Sequence, residues 1–293
     1  MIAARDPDVY TRLQHLSQTA RAVFFAGLPG TGKSLLAHQL AHLAHAARRP
    51  VHLLQWDVVR PAIERSPAGA AYPMVGGVTH GVIRIAAGLW ARDMVARWAA
   101  EPIGPEHLLI GETPLVGHRF IELARPENDK AEPFLSEPGC EFVIPVPSVE
   151  VRRTIEAERA RRIGQPVHDR EREDAPPDVL RAQWEALAAV APLIGAGRDG
   201  SPSGGTPRAA APAPYDPDIY RRVYEFVLRH RHAQSVPVRT VLPVATISVY
   251  DFVAPTRDLV PTPGEAAASV RLAETRFPDP RIVQATLDRW YIV

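Results

Sequence analysis

The sequence predicts an α/β fold, with a mostly parallel five-stranded sheet and helices on both faces. Two observations carry this. Short apolar runs of strand length alternate with longer segments of helical period, and that alternation builds parallel sheets covered on both sides. The runs Ala22-Val23-Phe24-Phe25-Ala26 and Leu108-Leu109-Ile110 are continuously apolar, as strands buried on both faces are. The chain has 293 residues, 46% of them hydrophobic, enough for one large core or two modest ones.

In chain order, Asp6-Pro7-Asp8 reads as a helix start, with Asp6 as cap and Pro7 at the first helical position. This helix is expected to run to about Thr19. Ala22 to Ala26 forms the first strand, and a glycine-rich turn follows. Lys33 to Arg48 is a helix with Leu36, Leu40, Leu43 and Ala47 as its buried stripe, stopped by Pro50. Val51 to Gln55 is the second strand, ending near Trp56-Asp57. Thr79 to Ala100 is largely helical. His107 to Ile110 is the third strand, ending at Gly111-Glu112, and Glu141 to Val146 is the fourth. Ser148 caps a helix through Arg162, and Gln183 to Val190 continues in helical style.

Gly195 to Pro214 is rich in Gly, Pro, Ser and Ala and reads as a disordered loop or linker. Tyr215-Asp216-Pro217-Asp218 then repeats the capping chemistry of the N-terminus, and Ile219 to His230 is helical. Val238 to Tyr250, rich in β-branched residues, is expected to supply the fifth strand. Gly264 to Phe277 and Arg281 to Trp290 read as terminal helices. The chain thus divides into a core at 1–194, a linker or loop at 195–214, and a segment at 215–293 that completes the sheet.

With 34 Lys+Arg against 33 Asp+Glu, the formal net charge is +1. Long nucleic acid is not the expected partner, since binding it usually takes a strong basic excess. Cys140 is the only cysteine, which excludes an intrachain disulfide and a cysteine zinc cluster. The longest apolar stretches, near Ala22–Ala26 and Val241–Val249, are too short to span a bilayer. The opening MIAARDPDVY does not read as a signal peptide. A soluble, cytoplasmic protein with no membrane partner is expected.

Gly27-Leu28-Pro29-Gly30-Thr31-Gly32-Lys33-Ser34 fits G-x-x-x-x-G-K-[ST] at every position. An apolar strand precedes it and an amphipathic helix follows, as a P-loop requires. The glycines let the backbone curl and point N–H groups at phosphate oxygens, and the helix N-terminus adds partial positive charge. Lys33 is expected to reach the β- and γ-phosphates and Ser34 to ligate Mg²⁺. The expected ligand is a nucleoside triphosphate, ATP with Mg²⁺, and the expected fold is a P-loop three-layer sandwich.

Asp57 ends the second strand, with Arg60 three residues on. Ligands of open α/β sheets bind at the carboxyl ends of strands. A carboxylate there can orient or deprotonate an attacking hydroxyl. Arg60 can hold acceptor oxygens or the reactive phosphate. The competing structural reading is an Asp57–Arg60 pair capping a turn. Here the sequence resembles the small P-loop kinases, especially the polynucleotide-kinase-like and zeta-toxin-like group, in the P-loop and the D-x-x-R spacing. The resemblance covers Ala22 to Arg162 in order of elements. It implies transfer of the γ-phosphate of ATP to a hydroxyl of a small molecule or nucleic-acid end.

Glu112, ending the third strand, stands where P-loop proteins commonly place an acid that holds the Mg²⁺ water shell. The usual residue is Asp, and a turn-capping role is the alternative. Arg119 is held more loosely as lining the same cleft. Arg152, Arg153, Arg159, Arg161 and Arg162 crowd the helix after the fourth strand, where small P-loop kinases carry a lid. Arg152–Glu156 and Glu158–Arg162 also suit an ordinary exposed helix, so Arg159, with no i,i+4 acid, is the arginine expected to meet phosphate. His38, His42 and His45 fall opposite the leucine stripe and read as a solvated face. Trp90 and Trp98 read as packing, and Cys140 as buried and inert. Two other functions stay open: an NTPase whose acceptor is water, and a nucleotide-gated regulatory or scaffold protein.

Overall fold

The computed structural model describes residues 6–169, 171, 175–195, 214–241 and 254–293. Six strands form one sheet: β1 (Ala22–Ala26), β2 (Val51–Gln55), β3 (Leu108–Thr113), β4 (Cys140–Pro147), β5 (His232–Val238) and β6 (Thr256–Asp258). Their order is β5-β4-β1-β3-β2-β6, and every neighbouring pair is parallel. The helices are α1 (Pro7–Thr19), α2 (Lys33–Ala46), α3 (Trp56–Glu64), α4 (Gly81–Ala100), α5 (Glu132–Leu135), α6 (Val149–Gly164), α7 (Pro177–Ala188), α8 (Pro217–Val227), α9 (Pro263–Arg276) and α10 (Pro280–Asp288).

β1 is central and wholly buried, and its alternating side chains build two cores. Val23 and Phe25 meet Leu13 and Leu16 of α1 and Leu36 and Leu40 of α2. Phe24 faces the other way, into a larger core with Ile85 and Trp90 of α4 and Val223 of α8. Helices therefore cover both faces. In register, Phe24 lies between Gly111 and Phe142. It stacks on Phe142 with ring centroids 4.9 Å apart, and a Cβ on Gly111 would enter its ring. The glycine inside β3 makes room for that aromatic pair.

Capping follows the sequence at three helices. Asp6 accepts from the Val9 amide, Ser148 from Val151, and Asp216 from Asp218 and Ile219. Trp90 and Trp98 are buried. Cys140 is buried as well, with its thiol pKa pushed up by that burial.

The sheet differs from expectation in two respects. Among the described residues it has six strands, not five, and all are parallel. The strand beside β4 is His232–Val238, which meets the expected strand Val238–Tyr250 only at Val238; residues 242–250 of that expected strand lie outside the described residues. The sixth strand, Thr256–Asp258, pairs with β2. Both unexpected strands sit at sheet edges and carry little apolar signal, since β6 is exposed throughout and β5 buries only Val236 and Val238. Of the expected linker, residues 196–213 lie outside the described residues. Among the described residues no helix is long and apolar enough to cross a membrane.

Candidate active site

The site is built where β1 meets α2. Gly30 (φ +73°) and Gly32 (φ +84°) adopt left-handed backbone, which side chains other than glycine's disfavour. Gly27 is fixed differently: a Cβ there would run into the Tyr220 hydroxyl and sit 2.8 Å from Thr31 Oγ1. Helix α8 thus presses on the start of the turn. Inside the turn, Thr31 Oγ1 and Lys33 Nζ both donate to the Leu28 carbonyl, at 2.8 and 2.9 Å. Lys33 is only 7% exposed. Burial brings its pKa down to about 8; Arg159 and Arg152 add to this, while Glu112 and Asp57 oppose it. A cation held on a carbonyl, with no carboxylate in direct contact among the described residues, suits an incoming anion.

The acids converge on the same end of the sheet. Gln55 stands across from Glu112 in the β2–β3 register. Its Nε2 donates to Glu112 Oε1 at 3.0 Å, and Ser34 Oγ donates to Oε2 at 2.8 Å. Glu112 is therefore bonded to the last residue of the motif rather than capping a turn. Ser34 and Glu112 offer hard oxygen donors that fit Mg²⁺.

Asp57 needs a correction. β2 ends at Gln55, and Asp57 lies in the first turn of α3. Nor does it pair with Arg60, which donates to Glu64 at 2.7 Å. The Asp57 side chain is exposed to water although protein surrounds it closely, the condition of a residue on a cleft floor. Crowding first, and Glu112 second, raise its pKa, against Arg60, Lys33 and Arg119. Contact with water moderates that rise. No hydrogen bond or ion pair ties its carboxylate to another described residue.

The arginine-rich helix α6 behaves differently from an ordinary exposed helix. Arg152 is 1% exposed. It does pair with Glu156, at 2.6 Å, but its Nη1 also donates to the Pro29 carbonyl at 2.7 Å. Its guanidinium lies 5.7 Å from the centre of the Tyr215 ring. Arg161 is taken up by Glu158 at 2.8 Å, and Arg162 by buried Glu171, with Glu158 3.8 Å away. Arg159 donates to the Ala175 carbonyl at 3.3 Å, and its charge reaches Lys33.

The segment after β3 closes the cleft under strain. Leu115, Gly117, His118 and Phe120 have φ of +60°, +68°, +64° and +63°, and each such non-glycine residue costs about 1–3 kcal/mol. Tyr224 of α8 holds it by donating to the Pro114 carbonyl at 2.8 Å. Arg119 is thereby brought beside Asp57. Burial, then Arg84, lowers its pKa to about 10. Arg84, Gln55, Tyr220 and the anchoring role of Arg152 are not legible in the sequence, because each works through a residue distant along the chain. Gln55 alone carries a signal, a polar residue ending an apolar strand.

A depression of about 490 Å³ at Pro126, Asp129 and Glu132 shares no residue with this cleft. Glu132 there accepts from Arg92 and Arg231, an ion-pair node that ties α4 and the residue before β5 to the start of α5. No protein-family model, curated protein or solved structure matches the chain, so the chemistry is argued from these residues alone.

Proposed function

We propose that the chain is a P-loop protein of three-layer-sandwich type, a small kinase that moves the γ-phosphate of ATP to a hydroxyl. On this reading it resembles the polynucleotide-kinase-like and zeta-toxin-like group, and its acceptor is a small molecule or a nucleic-acid end. The observation that supports it most is the 2.8 Å bond from Ser34 to Glu112, with water-facing Asp57 in the field of both Glu112 and Lys33.

The Gly27–Ser34 backbone (Gly27, Leu28, Pro29, Gly30, Thr31, Gly32) cradles the phosphates. Lys33 leaves the Leu28 carbonyl for phosphate oxygens. Ser34 and Glu112 would hold Mg²⁺, which when bound screens charge on the β- and γ-phosphates. Asp57 takes the proton of the acceptor hydroxyl as the new O–P bond forms. The bond from the γ-phosphorus to the bridging oxygen breaks, and its electron pair leaves with ADP. Arg159 balances charge from the lid side; Arg60, half-engaged by Glu64, does so from the acceptor side. The open water around Asp57 favours a second reading, an NTPase in which water is the acceptor.

The test is Mg·ATP binding by wild type and Lys33→Ala, with γ-phosphate tracing against nucleosides, 5′-hydroxyl oligonucleotides, sugars and antibiotics. Lys33→Ala is expected to fold and to lose binding. Unchanged affinity in that variant would remove the reading.

A further inference from the structure

Two arginines in the cleft have backbone partners but no acid. Arg84 of α4 donates through Nε to the Thr79 carbonyl at 2.9 Å and through Nη1 to the Gly117 carbonyl at 3.1 Å. Arg119 donates through Nη1 to the Val116 carbonyl at 3.2 Å. Among the described residues neither forms an ion pair with a carboxylate. Both are half-buried, and each guanidinium has five donors, so donors remain after these bonds. The two groups also converge. The point where Gly117 would carry a Cβ lies 3.4 Å from Arg84 Nη1 and 4.0 Å from Arg119 Nη1.

Two like charges drawn together at a side-chain-free notch repel each other, and their bonds to the Gly117 and Val116 carbonyls of the strained segment hold them there. Asp57 acts on Arg119 through its charge without forming an ion pair with it, and Glu64 occupies Arg60. Two cations with no bonded carboxylate match the charge of a phosphate monoester, and guanidinium forks match its geometry.

We propose that Arg84 and Arg119 form a seat over Gly117 for a phosphate group carried by the acceptor, holding its hydroxyl toward Asp57. This rests on the kinase reading and narrows its substrate class to phosphorylated alcohols. Neutral sugars and unphosphorylated nucleosides would lack the group that fills the seat.

The test uses the full chain with its P-loop filled by a non-hydrolysable Mg·ATP analogue. Inorganic phosphate is titrated calorimetrically, at ionic strength held constant with chloride. One phosphate site is expected, weakened roughly 10- to 100-fold in Arg119→Gln, the usual worth of a charged hydrogen bond. Arg84→Gln should act likewise; if it does not fold, Arg119→Gln alone decides. Absence of phosphate binding in wild type, or unchanged affinity in the folded variants, would overturn the seat. Failure of the analogue to bind counts against the kinase reading alone. In that event phosphate is titrated on Lys33→Ala protein, and the same dependence on Arg119 is required.

Discussion

Arg152 and Pro29 are 123 residues apart in the chain and share one hydrogen bond, 2.7 Å from guanidinium to carbonyl. Through it helix α6 grips the glycine turn, and a Cβ on the neighbouring Gly30 would lie 3.4 Å from the same Nη1. Arg152→Met keeps the stem and removes the donors, leaving a buried carbonyl unsatisfied. A loss of roughly 1–3 kcal/mol is expected, with nucleotide affinity weakened about tenfold. Thermal melts and nucleotide titration check both. A lower melting temperature with unchanged affinity would mean that the anchor supports the fold without shaping the cradle.

Gly27 and Tyr220 make a second contact of this kind. Gly27→Ala forces a methyl against the tyrosine hydroxyl, an overpacking that costs roughly 1–3 kcal/mol. Removing the hydroxyl in Gly27→Ala/Tyr220→Phe should recover part of that loss, though Thr31 Oγ1 still crowds the site. A double-mutant cycle by denaturant melts measures the coupling; additive effects would contradict the proposed clash.

The Lys33 ammonium gives a pH dependence with a definite sign. Its pKa is about 8 in the fold against 10.5 for an ordinary lysine. Between these values the unfolded chain binds more protons, so the penalty that burying the Lys33 charge places on folding is present in full below about pH 8 and is relieved as pH rises through that window. Nucleotide binding runs the other way, because phosphates need the charged form. Affinity should fall as pH rises above about 8, by up to about tenfold per unit. Titrations from pH 7 to 9.5 check this, and a flat profile would show that Lys33 does not contact the phosphates.

The inner sheet and the glycine turn were legible because their signals are local. Continuous apolar runs marked β1 and β3, and the motif fixed Gly27 to Ser34. The edge strands were missed because half-exposed backbone pairing leaves little apolar pattern, as His232-Ala233-Gln234-Ser235 shows. Asp57 and Glu112 were legible as acids near strand ends, but the register bringing Gln55 to Glu112 was not. Arg152 misled because its i,i+4 acid is real, and no one-dimensional pattern reveals that its other side is buried on Pro29. Arg84 looks like any arginine on a long helix until α4 packs beside the loop after β3.

Asp57 is where the account is most exposed. Its carboxylate is free of ion pairs among the described residues and faces water beside Lys33 and Glu112, whereas a purely structural acid would be bonded to Arg60. The most direct measurement is turnover and ATP affinity of Asp57→Asn, with and without acceptor. The account predicts little change in affinity, because the phosphates are held by Lys33 and the turn, and a fall in transfer of roughly 10²–10⁴, the usual worth of a positioned base. Full turnover by a folded Asp57→Asn protein would contradict it.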